Sequence, residues 1–377
     1  MKKILFVVDE RKAGGVSKVL ESIFENISNL KADILVLHNN GDKLENIKNA
    51  NIIYGPSFFD TCDLSFKSLV KQVKIIKIIK KMYLIFLMKT GLVKYAIKSK
   101  RKKMNLEKYD IEISFKNGFD TYFVAHGNSK KKVIWLHNDY GMNNPGKHYE
   151  KSYTNAIKMF DTVVAIGKII KENFNDKYGM ESKTIVIPNI INMPITTSVS
   201  NEKTNDFEMI CVGRLSLVKR YDMLIDIVYK LNSNNLFDNC VLKIIGDGEE
   251  RVILEKKIND LNLKEKVLLL GNQNEPWRYA NNSDLFVMCS KYEARPLTVV
   301  ESQLVGIPVI SVNFSSVKEL IDEKNGFIVD NNFDALYNGI EKIIKNRNLL
   351  EERKNNLKNY KYDNDKIIKK IIKLFDL

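Results

Sequence analysis

Two glutamates eight residues apart flank a predicted helix start in YEARPLTVVE, with Glu293 before the helix and Glu301 within it. Pro296 suits the first turn of a helix, where no backbone N–H donor is needed. The amides of Leu297 and Thr298 can then hold a phosphate at the positive end of the helix dipole. Paired glutamates are common by chance, so the whole frame matters: strand, Glu, Pro, helix, Glu and a further strand. This frame predicts carboxylates that bind hydroxyls at both ends of a nucleotide sugar.

A second loop carries two cations. In VGRLSLVKRYDMLI, Gly213 ends a predicted strand, and Arg214 and Lys219 precede a predicted helix. A guanidinium fork and an ammonium point charge at this spacing can both reach one diphosphate. Ligands of open α/β sheets bind at the carboxyl ends of the strands, where this loop lies. The alternative is ordinary surface charge, which applies more to Lys219 than to Arg214, one of only nine arginines.

The N-terminal half offers two further candidates. Gly14 and Gly15 lie between a predicted strand and a predicted helix, where adjacent glycines let the backbone approach an anion closely. They do not form the dinucleotide pattern G-x-G-x-x-G, and a tight turn is the alternative interpretation. His137 follows the apolar run VIWL and therefore marks the carboxyl end of a strand. We favour a site role for His137 over a purely structural one.

The elements that must position these residues alternate between short apolar runs and helical stretches. The strands predicted in the first half are Ile4–Val8, Asp33–His38, Asp110–Phe115, Val133–His137, Thr162–Ile166 and Thr184–Ile187. Those predicted in the second half are Phe207–Val212, Val241–Ile245, Val267–Leu270, Leu285–Met288 and Val309–Val312. Near-continuous apolar strands are typical of a parallel sheet covered on both faces. The pattern predicts an α/β protein with two doubly wound, Rossmann-like domains.

The predicted domain order follows from a polar stretch in the middle of the chain. We expect an N-terminal domain over 1–190, a linker over 191–206 and a C-terminal domain over 207–360. The tail, 361–377, reads as an amphipathic helix that either packs on a domain, crossing back to the first one, or contacts lipid; packing is favoured. Within it, Asp363-Asn364-Asp365 has the letters of a metal motif but is predicted to cap the helix, so no metal is expected.

Composition limits the class of protein. The 377 residues are 44% hydrophobic and 10% aromatic, which excludes a disordered or fibrous chain. Four cysteines without a C-x-x-C pair indicate a reducing compartment. The first apolar run is too short for a signal peptide, and no run reaches the roughly 20 residues of a membrane span. We therefore expect a soluble, cytoplasmic protein.

The net charge of +14 is concentrated in one segment. Residues Lys67 to Lys103 include 13 basic and no acidic residues, and the lysines alternate with bulky apolar groups. Nucleic-acid footprints are more often polar and rich in arginine. Lysine stems along an apolar surface instead favour docking on an anionic membrane, here the inner face of the cell membrane. The alternative is a core helix with a solvated lysine face, because the isoleucines of this segment surround the helix axis.

The sequence also resembles a known family. VGRLSLVKRYDMLI, IIGDGEERVILEKKI, VLLLGN and YEARPLTVVESQLVGIPVI occur in the order seen in retaining glycosyltransferases of the GT-B fold, family four, with the strongest likeness over 207–345. A weaker likeness in the first half rests on GGVSKVL, VIWLHND, TVVAIGKIIKENF and VIPNIIN. The resemblance implies two domains facing each other across a cleft. It also implies a nucleotide diphosphate sugar donor, expected to be a UDP-sugar, and a saccharide or lipid-linked acceptor.

Residue roles follow from the resemblance alone. It implies that Glu293 contacts the donor sugar, that Glu301 binds the ribose, and that His137 touches the sugar. It further implies that Arg214 and Lys219 hold the diphosphate. The donor set is completed by Gly14, Gly15, Gly213, Gly246, Leu297 and Thr298. The family mechanism retains the anomeric configuration and needs no metal or other cofactor. Where the family has Gly after the first Glu, this chain has Ala294 and then Arg295, a departure that concerns which sugar fits.

The expected context is polysaccharide, capsule or glycolipid synthesis. Two alternatives stay open at this point. A sugar-nucleotide epimerase or hydrolase of the same fold would use the donor without a sugar acceptor. A basic nucleic-acid-binding module would bind DNA or RNA with a strong salt dependence.

Overall fold

A computed structural model of the chain describes residues 2–9, 14–38, 47–62, 69, 74–106, 108–141, 150–193, 207–280 and 283–377. The chain divides into two compact units. The first unit comprises Met1–Ile190 and Asp363–Leu377, and the second comprises Ile191–Tyr362. Of the predicted linker, 194–206 lies outside the described residues.

The first unit contains a seven-stranded parallel sheet. Its strands are β1 Ile4–Val8, β2 Ala32–Val36, β3 Ala50–Tyr54, β4 Ile111–Ser114, β5 Lys131–Leu136, β6 Thr162–Ala165 and β7 Thr184–Val186. Their order is β3-β2-β1-β4-β5-β6-β7, so the strand order reverses between β1 and β4. The central strands are buried, which explains their continuous apolar sequences. The sequence did not predict β3, an edge strand whose residues are partly exposed.

Helices accompany these strands through the first unit. They are α1 Gly15–Asn26, α2 Ile75–Thr90, α3 Val93–Lys103, α4 Phe119–Ala125, α5 Glu150–Ile157 and α6 Lys168–Tyr178. Buried apolar residues on α1 include Leu20, Ile23 and Phe24, at helical spacing. Glycines in the left-handed conformation end α2 at Gly91 and α6 at Gly179, because a side chain would be strained there.

The second unit repeats the same topology with six strands. They are β8 Phe207–Val212, β9 Cys240–Ile245, β10 Val267–Gly271, β11 Leu285–Met288, β12 Val309–Val312 and β13 Gly326–Val329. The order β10-β9-β8-β11-β12-β13 reverses between β8 and β11. The helices are α7 Tyr221–Ser233, α8 Arg251–Asp260, α9 Leu297–Leu304, α10 Phe333–Lys345 and α11 Asn348–Leu357. The α/β class with two Rossmann-like domains is therefore confirmed, although β13 was not predicted.

The tail helix α12, Asn364–Phe375, belongs to the first unit although it follows the second in sequence. Its buried residues Ile367, Ile371, Leu374 and Phe375 lie on one face, and the Phe375 ring meets Phe6 of β1 edge to face. The Asp363 carboxylate accepts a hydrogen bond from the Lys366 amide at 2.9 Å. This is the helix cap predicted from the sequence.

Helix α2 has two apolar faces, one buried and one exposed. Leu84, Leu87 and Met88 are buried. More than half exposed, and grouped on the opposite side at helical spacing, are Ile75, Ile76, Ile79, Met82, Tyr83 and Phe86. We call these six residues the apolar stripe. No helix among the described residues has both the length and the apolar character to cross a membrane.

Helix α3 is fixed to the first unit through an arginine. Val93, Ile97 and Arg101 form its buried face, and the Arg101 guanidinium pairs with Glu112 of β4. Both side chains are almost fully buried, and Arg101 also lies over the Phe123 ring. Arg101 therefore contributes to the core of this unit, whereas neighbouring Lys102 is exposed. The predicted membrane docking of the segment Lys67 to Lys103 therefore does not hold for Arg101, which is buried.

The buried pair predicts a stability difference between two adjacent cations. Arg101→Met leaves the Glu112 carboxylate buried without a counter-charge, which should lower the free energy of unfolding by about 3–5 kcal/mol. The matched change Lys102→Met should have little effect, because that side chain is exposed. Adding Glu112→Gln to Arg101→Met should recover part of the loss. Urea unfolding followed by circular dichroism measures all three, and equal losses at positions 101 and 102 would contradict the assignment.

Candidate functional site

The loops after β8 and β11 meet where the strand order of the second unit reverses. The Lys291 amide donates to the Val218 carbonyl at 2.8 Å, and the Arg220 Nε donates to the Cys289 carbonyl at 2.8 Å. The Cys289 thiol donates to the Lys219 carbonyl at 3.0 Å. Backbone and side-chain bonds thus hold the two loops together. The reversal point of a parallel sheet leaves a crevice at its carboxyl edge, which makes these loops the candidate site.

An ion pair joins the same two loops. Lys219 Nζ lies 2.5 Å from Glu293 Oε1, and the two side chains are only 20% and 17% exposed. Lys219 sits in a short 3-10 turn, Leu217–Lys219, and Glu293 in the loop after β11. The structure therefore brings together the predicted cation and the first predicted carboxylate. A partly buried pair of this kind is shielded from the solvent screening that weakens exposed pairs.

Arg214 is placed differently from Lys219. Its side chain is 68% exposed and its guanidinium bonds to Glu249, with Nε 3.0 Å from Oε2. Each of the two predicted phosphate-binding cations thus holds its own carboxylate. The sequence did not predict Glu249 as a partner, because the contact joins loops 35 residues apart.

Two of the predicted glycines lie where backbones crowd. A Cβ at Gly246, which has a φ of 138°, would clash with the Gly213 carbonyl oxygen. A Cβ at Gly213 would lie 2.9 Å from the Tyr221 hydroxyl oxygen and 3.3 Å from Lys219 Nζ. The close approach of the Gly213 carbonyl is therefore enough to require glycine at position 246. At position 213, the absence of a side chain leaves room for the Lys219 ammonium beside the end of β8.

Helix α9 begins one residue later than predicted. Pro296 is the N-cap, with ψ at 118°, rather than a residue of the first turn. Leu297 and Thr298 are the first two helical residues, as the predicted phosphate-binding role requires, and no side chain caps this end. Nearby, Arg295 pairs with Glu319 at 3.2 Å and is largely buried. The residue after Ala294, where the chain departs from the family pattern, is thus tied to the segment after β12.

The second predicted carboxylate, Glu301, has a partner that the sequence did not indicate. The indole Nε1 of Trp277 donates to Glu301 Oε2 at 3.1 Å. Trp277 is only 2% exposed and lies in the 3-10 turn Pro276–Arg278, beyond β10. Its ring also packs against Phe286 of β11. Two elements of the second unit therefore meet at this carboxylate.

In the first unit, His137 directly follows β5, as predicted. Its ring is buried against Phe115, with centroids 4.6 Å apart, and its Nε2 has no hydrogen-bond partner among the described residues. Burial lowers the pKa of His137 to about 3. The imidazole is therefore neutral near pH 7 and can act there as a hydrogen-bonding group rather than as a cation.

Asn117 fixes the strand end that carries His137. Its Oδ1 accepts the His137 amide at 2.8 Å, and its Nδ2 donates to the Trp135 carbonyl at 2.7 Å. Asn117 adopts a φ of 63°, a left-handed conformation that asparagine tolerates better than most residues. Asn117 was not predicted from the sequence, although Asn-Gly after a strand is a turn signal that could have identified it.

The predicted glycine turn of the first unit is only partly described, since 10–13 lie outside the described residues. Gly14 is the N-cap of α1 in an extended conformation, and Gly15 is its first residue. A Cβ at Gly15 would meet no described atom within 4 Å. Packing of the described residues therefore gives no reason for glycine at 15, and a role of Gly14 and Gly15 towards a ligand stays a prediction.

Among the described residues, no group of three His, Cys, Asp or Glu side chains is arranged to hold a metal ion.

The buried His137 predicts a pH-dependent stability. Its folded pKa lies below the usual 6.5, so the unfolded chain takes up a proton first as the pH falls. The stability that this group contributes is present above about pH 6.5 and is lost as the pH falls towards 3. In His137→Gln, the free energy of unfolding should fall less steeply with decreasing pH than in the wild type, by up to about 1.4 kcal/mol per pH unit between pH 6 and 4. Urea unfolding at several pH values measures the free energy of unfolding of both proteins. If it changed with pH to the same extent in the wild type and in His137→Gln, a lowered pKa of His137 would be ruled out.

Part of the chain is similar in sequence to known proteins. Residues 194–363 match the family of glycosyl transferases group 1. An uncharacterised glycosyltransferase of Methanocaldococcus jannaschii is 30% identical over 208 residues, which cover 49% of each chain. The UDP-Gal:alpha-D-GlcNAc-diphosphoundecaprenol alpha-1,3-galactosyltransferase of Escherichia coli is 32% identical over 180 residues, covering 46% of each chain. The chain thus spans about half the length of these two curated relatives.

Solved structures match over the whole chain. HepE of Anabaena, in complex with UDP and glucose, gives a TM-score of 0.72 at 18% identity and covers 100% of both chains. TarM of Staphylococcus aureus, in a complex that contains UDP, gives a TM-score of 0.70 at 16% identity with the same coverage. The protein therefore has the GT-B fold, and its residues 194–363 match the model of the group 1 glycosyl transferase family.

Proposed function

We propose that this protein is a retaining glycosyltransferase that moves a sugar from a nucleotide diphosphate sugar, most simply a UDP-sugar, to a saccharide or lipid-linked acceptor. The observation that carries the proposal is the pair Lys219–Glu293 beside the start of α9, at the reversal point of the sheet. This arrangement supplies a cation, a carboxylate and helix amides within the part of the chain that matches the family.

The proposed donor contacts divide the nucleotide sugar among these groups. An ammonium carries three donors, so Lys219 can bind a diphosphate oxygen while it keeps Glu293. Arg214 is exposed and can turn from Glu249 to phosphate. The amides of Leu297 and Thr298 add donors at the helix start. Glu301 accepts hydrogen bonds from the ribose hydroxyls, and Glu293 accepts hydrogen bonds from the hydroxyls of the transferred sugar.

The proposed reaction breaks the bond between the anomeric carbon and the phosphate oxygen. The acceptor hydroxyl attacks from the face that the diphosphate leaves, and a phosphate oxygen takes its proton. Fixed cations and amides stabilise the charge that develops on the diphosphate, which is an electrostatic form of catalysis. Because burial keeps His137 neutral, we assign it a hydrogen bond to the sugar rather than proton transfer. We propose that no metal takes part.

The acceptor proposal draws on what the relatives' names state. The Escherichia coli relative acts on a diphosphoundecaprenol-linked sugar. A Campylobacter jejuni relative, 29% identical over 153 residues, is named for a diphospho-undecaprenol acceptor as well. These names support a lipid-linked acceptor, and we propose a role in polysaccharide, capsule or glycolipid synthesis.

A donor screen followed by turnover tests the function. Calorimetry across nucleoside diphosphates and their sugars should show one base preferred, and sugar should move to product only when a lipid-linked saccharide is added. The product should keep the anomeric configuration of the donor, as seen by NMR, with chelator present. Release of free sugar or an epimer from the donor alone would instead favour the hydrolase or epimerase alternative. No affinity for any nucleotide would end the proposal.

We also propose that the apolar stripe of α2 rests on an anionic membrane surface at the inner face of the cell membrane. A group of six exposed apolar side chains on one face of a helix is typical of an interaction surface. Lysines flank it, and Lys74, Lys89 and Lys94 are exposed. By contrast, Lys80 and Lys81 donate to backbone carbonyls of 57–62, so they hold the helix on the first unit.

Charge introduced into the stripe tests the membrane proposal. Ile76→Glu with Ile79→Glu should lower retention on phosphatidylglycerol vesicles more than about tenfold, because two exposed isoleucines no longer enter the lipid and two negative charges oppose the anionic surface. Val252→Glu with Ile253→Glu is the matched control, since these residues are an equally exposed apolar pair on α8. Co-sedimentation measures both. Equal retention of the two variants would mean that the stripe does not meet lipid.

A further inference from the structure

The hydrogen bond from Trp277 to Glu301 joins a donor fixed by the core to a carboxylate on α9. The indole is 2% exposed and packs on Phe286 of β11, with ring centroids 5.9 Å apart. Its turn is closed by the bonds from the Tyr279 and Ala280 amides to the Pro276 and Trp277 carbonyls, both at 3.1 Å. The N–H vector of the indole is therefore set by the core of the second unit.

Glu301, in contrast, is a partly exposed side chain on α9 with several rotatable bonds. An oxygen fixed by a charge-assisted bond of 3.1 Å selects one orientation of the carboxylate. A carboxylate can accept about four hydrogen bonds, so the bond from Trp277 does not by itself prevent Glu301 from accepting hydrogen bonds from hydroxyls. The bond also meets the need of a buried indole for a partner.

We propose that Trp277 is a positioning residue that orients Glu301 towards the ribose hydroxyls of the donor and so sets the selectivity for ribonucleotides over deoxyribonucleotides. This inference rests on the proposed function, in which Glu301 binds the ribose. It adds a residue on a separate element, beyond β10, to the donor site. Selectivity arises because a carboxylate with its hydroxyl partners missing loses bonds that water does not fully replace at a partly buried position.

The other tryptophan of the chain provides a matched control. Trp135 of β5 is also buried, and it also packs on a phenylalanine, with its ring centroid 5.3 Å from that of Phe115. Its indole nitrogen has no hydrogen-bond partner among the described residues. Trp277→Phe and Trp135→Phe therefore remove the same atoms from similar surroundings, but only the first removes a bond to a carboxylate.

The experiment compares a ribonucleoside diphosphate with its 2′,3′-dideoxy counterpart by calorimetry, using the base that binds the wild-type protein. Trp277→Phe should weaken the ribonucleotide about 3- to 10-fold and leave the dideoxynucleotide unchanged, so that the selectivity ratio falls. Glu301→Gln should lower the ratio at least as far, and the double variant no further than Glu301→Gln alone. Trp135→Phe should keep the wild-type ratio.

Several outcomes would overturn the inference. Equal weakening of both nucleotides by Trp277→Phe would mean a general loosening of the site. Losses that add in the double variant would mean that Trp277 does not act through Glu301. A wild-type protein that binds both nucleotides equally would remove the ribose role of Glu301 and the inference with it. A wild-type protein that binds no nucleotide would instead refute the proposed function itself.

Discussion

The ion pair between Lys219 and Glu293 is the interaction on which the candidate site of the second unit depends. β8 and β11 are neighbours in the sheet, but the chain continues from β8 to β9 on one side and from β11 to β12 on the other, so the loops after them leave in opposite directions. An ammonium from one loop and a carboxylate from the other neutralise each other where neither is well exposed. Without its partner, each charge would carry the full cost of partial desolvation. The pair therefore keeps both a cation and an anion ready at a position that water reaches poorly.

Residue type and strand pattern predicted much of this arrangement. Buried strands with continuous apolar sequences were located to within about two residues, whereas the partly exposed edge strands β3 and β13 were missed. The loops that carry Lys219 and Glu293 were placed correctly because they follow such buried strands. The partners were not predictable in the same way. Glu249 and Trp277 reach their partners only through the tertiary fold, and no local pattern encodes those contacts.

The basic segment shows why charge and periodicity alone could not assign its faces. Both faces of α2 are apolar in sequence, so the pattern could not say which one meets the core. The structure separates three roles among its cations. Arg101 is buried with Glu112, Lys80 and Lys81 bind backbone carbonyls, and other lysines are exposed. A count of charges overstates what is available to a surface partner.

The two units share a topology but end their strands with different chemistry. In the first, Asp9 accepts the amides of Phe119 and Asp120, and Asn117 holds the strand end before His137. These hydrogen bonds join side chains to backbone amides. An incoming anion could therefore replace them only if the loops opened. In the second, Arg214 and Lys219 hold carboxylates through side chains, and under the proposed function these contacts exchange for phosphate while the backbone stays in place. The same fold thus gives one edge closed by bonds to backbone amides and one edge held by ion pairs between side chains, and the difference lies in the residues that follow each strand.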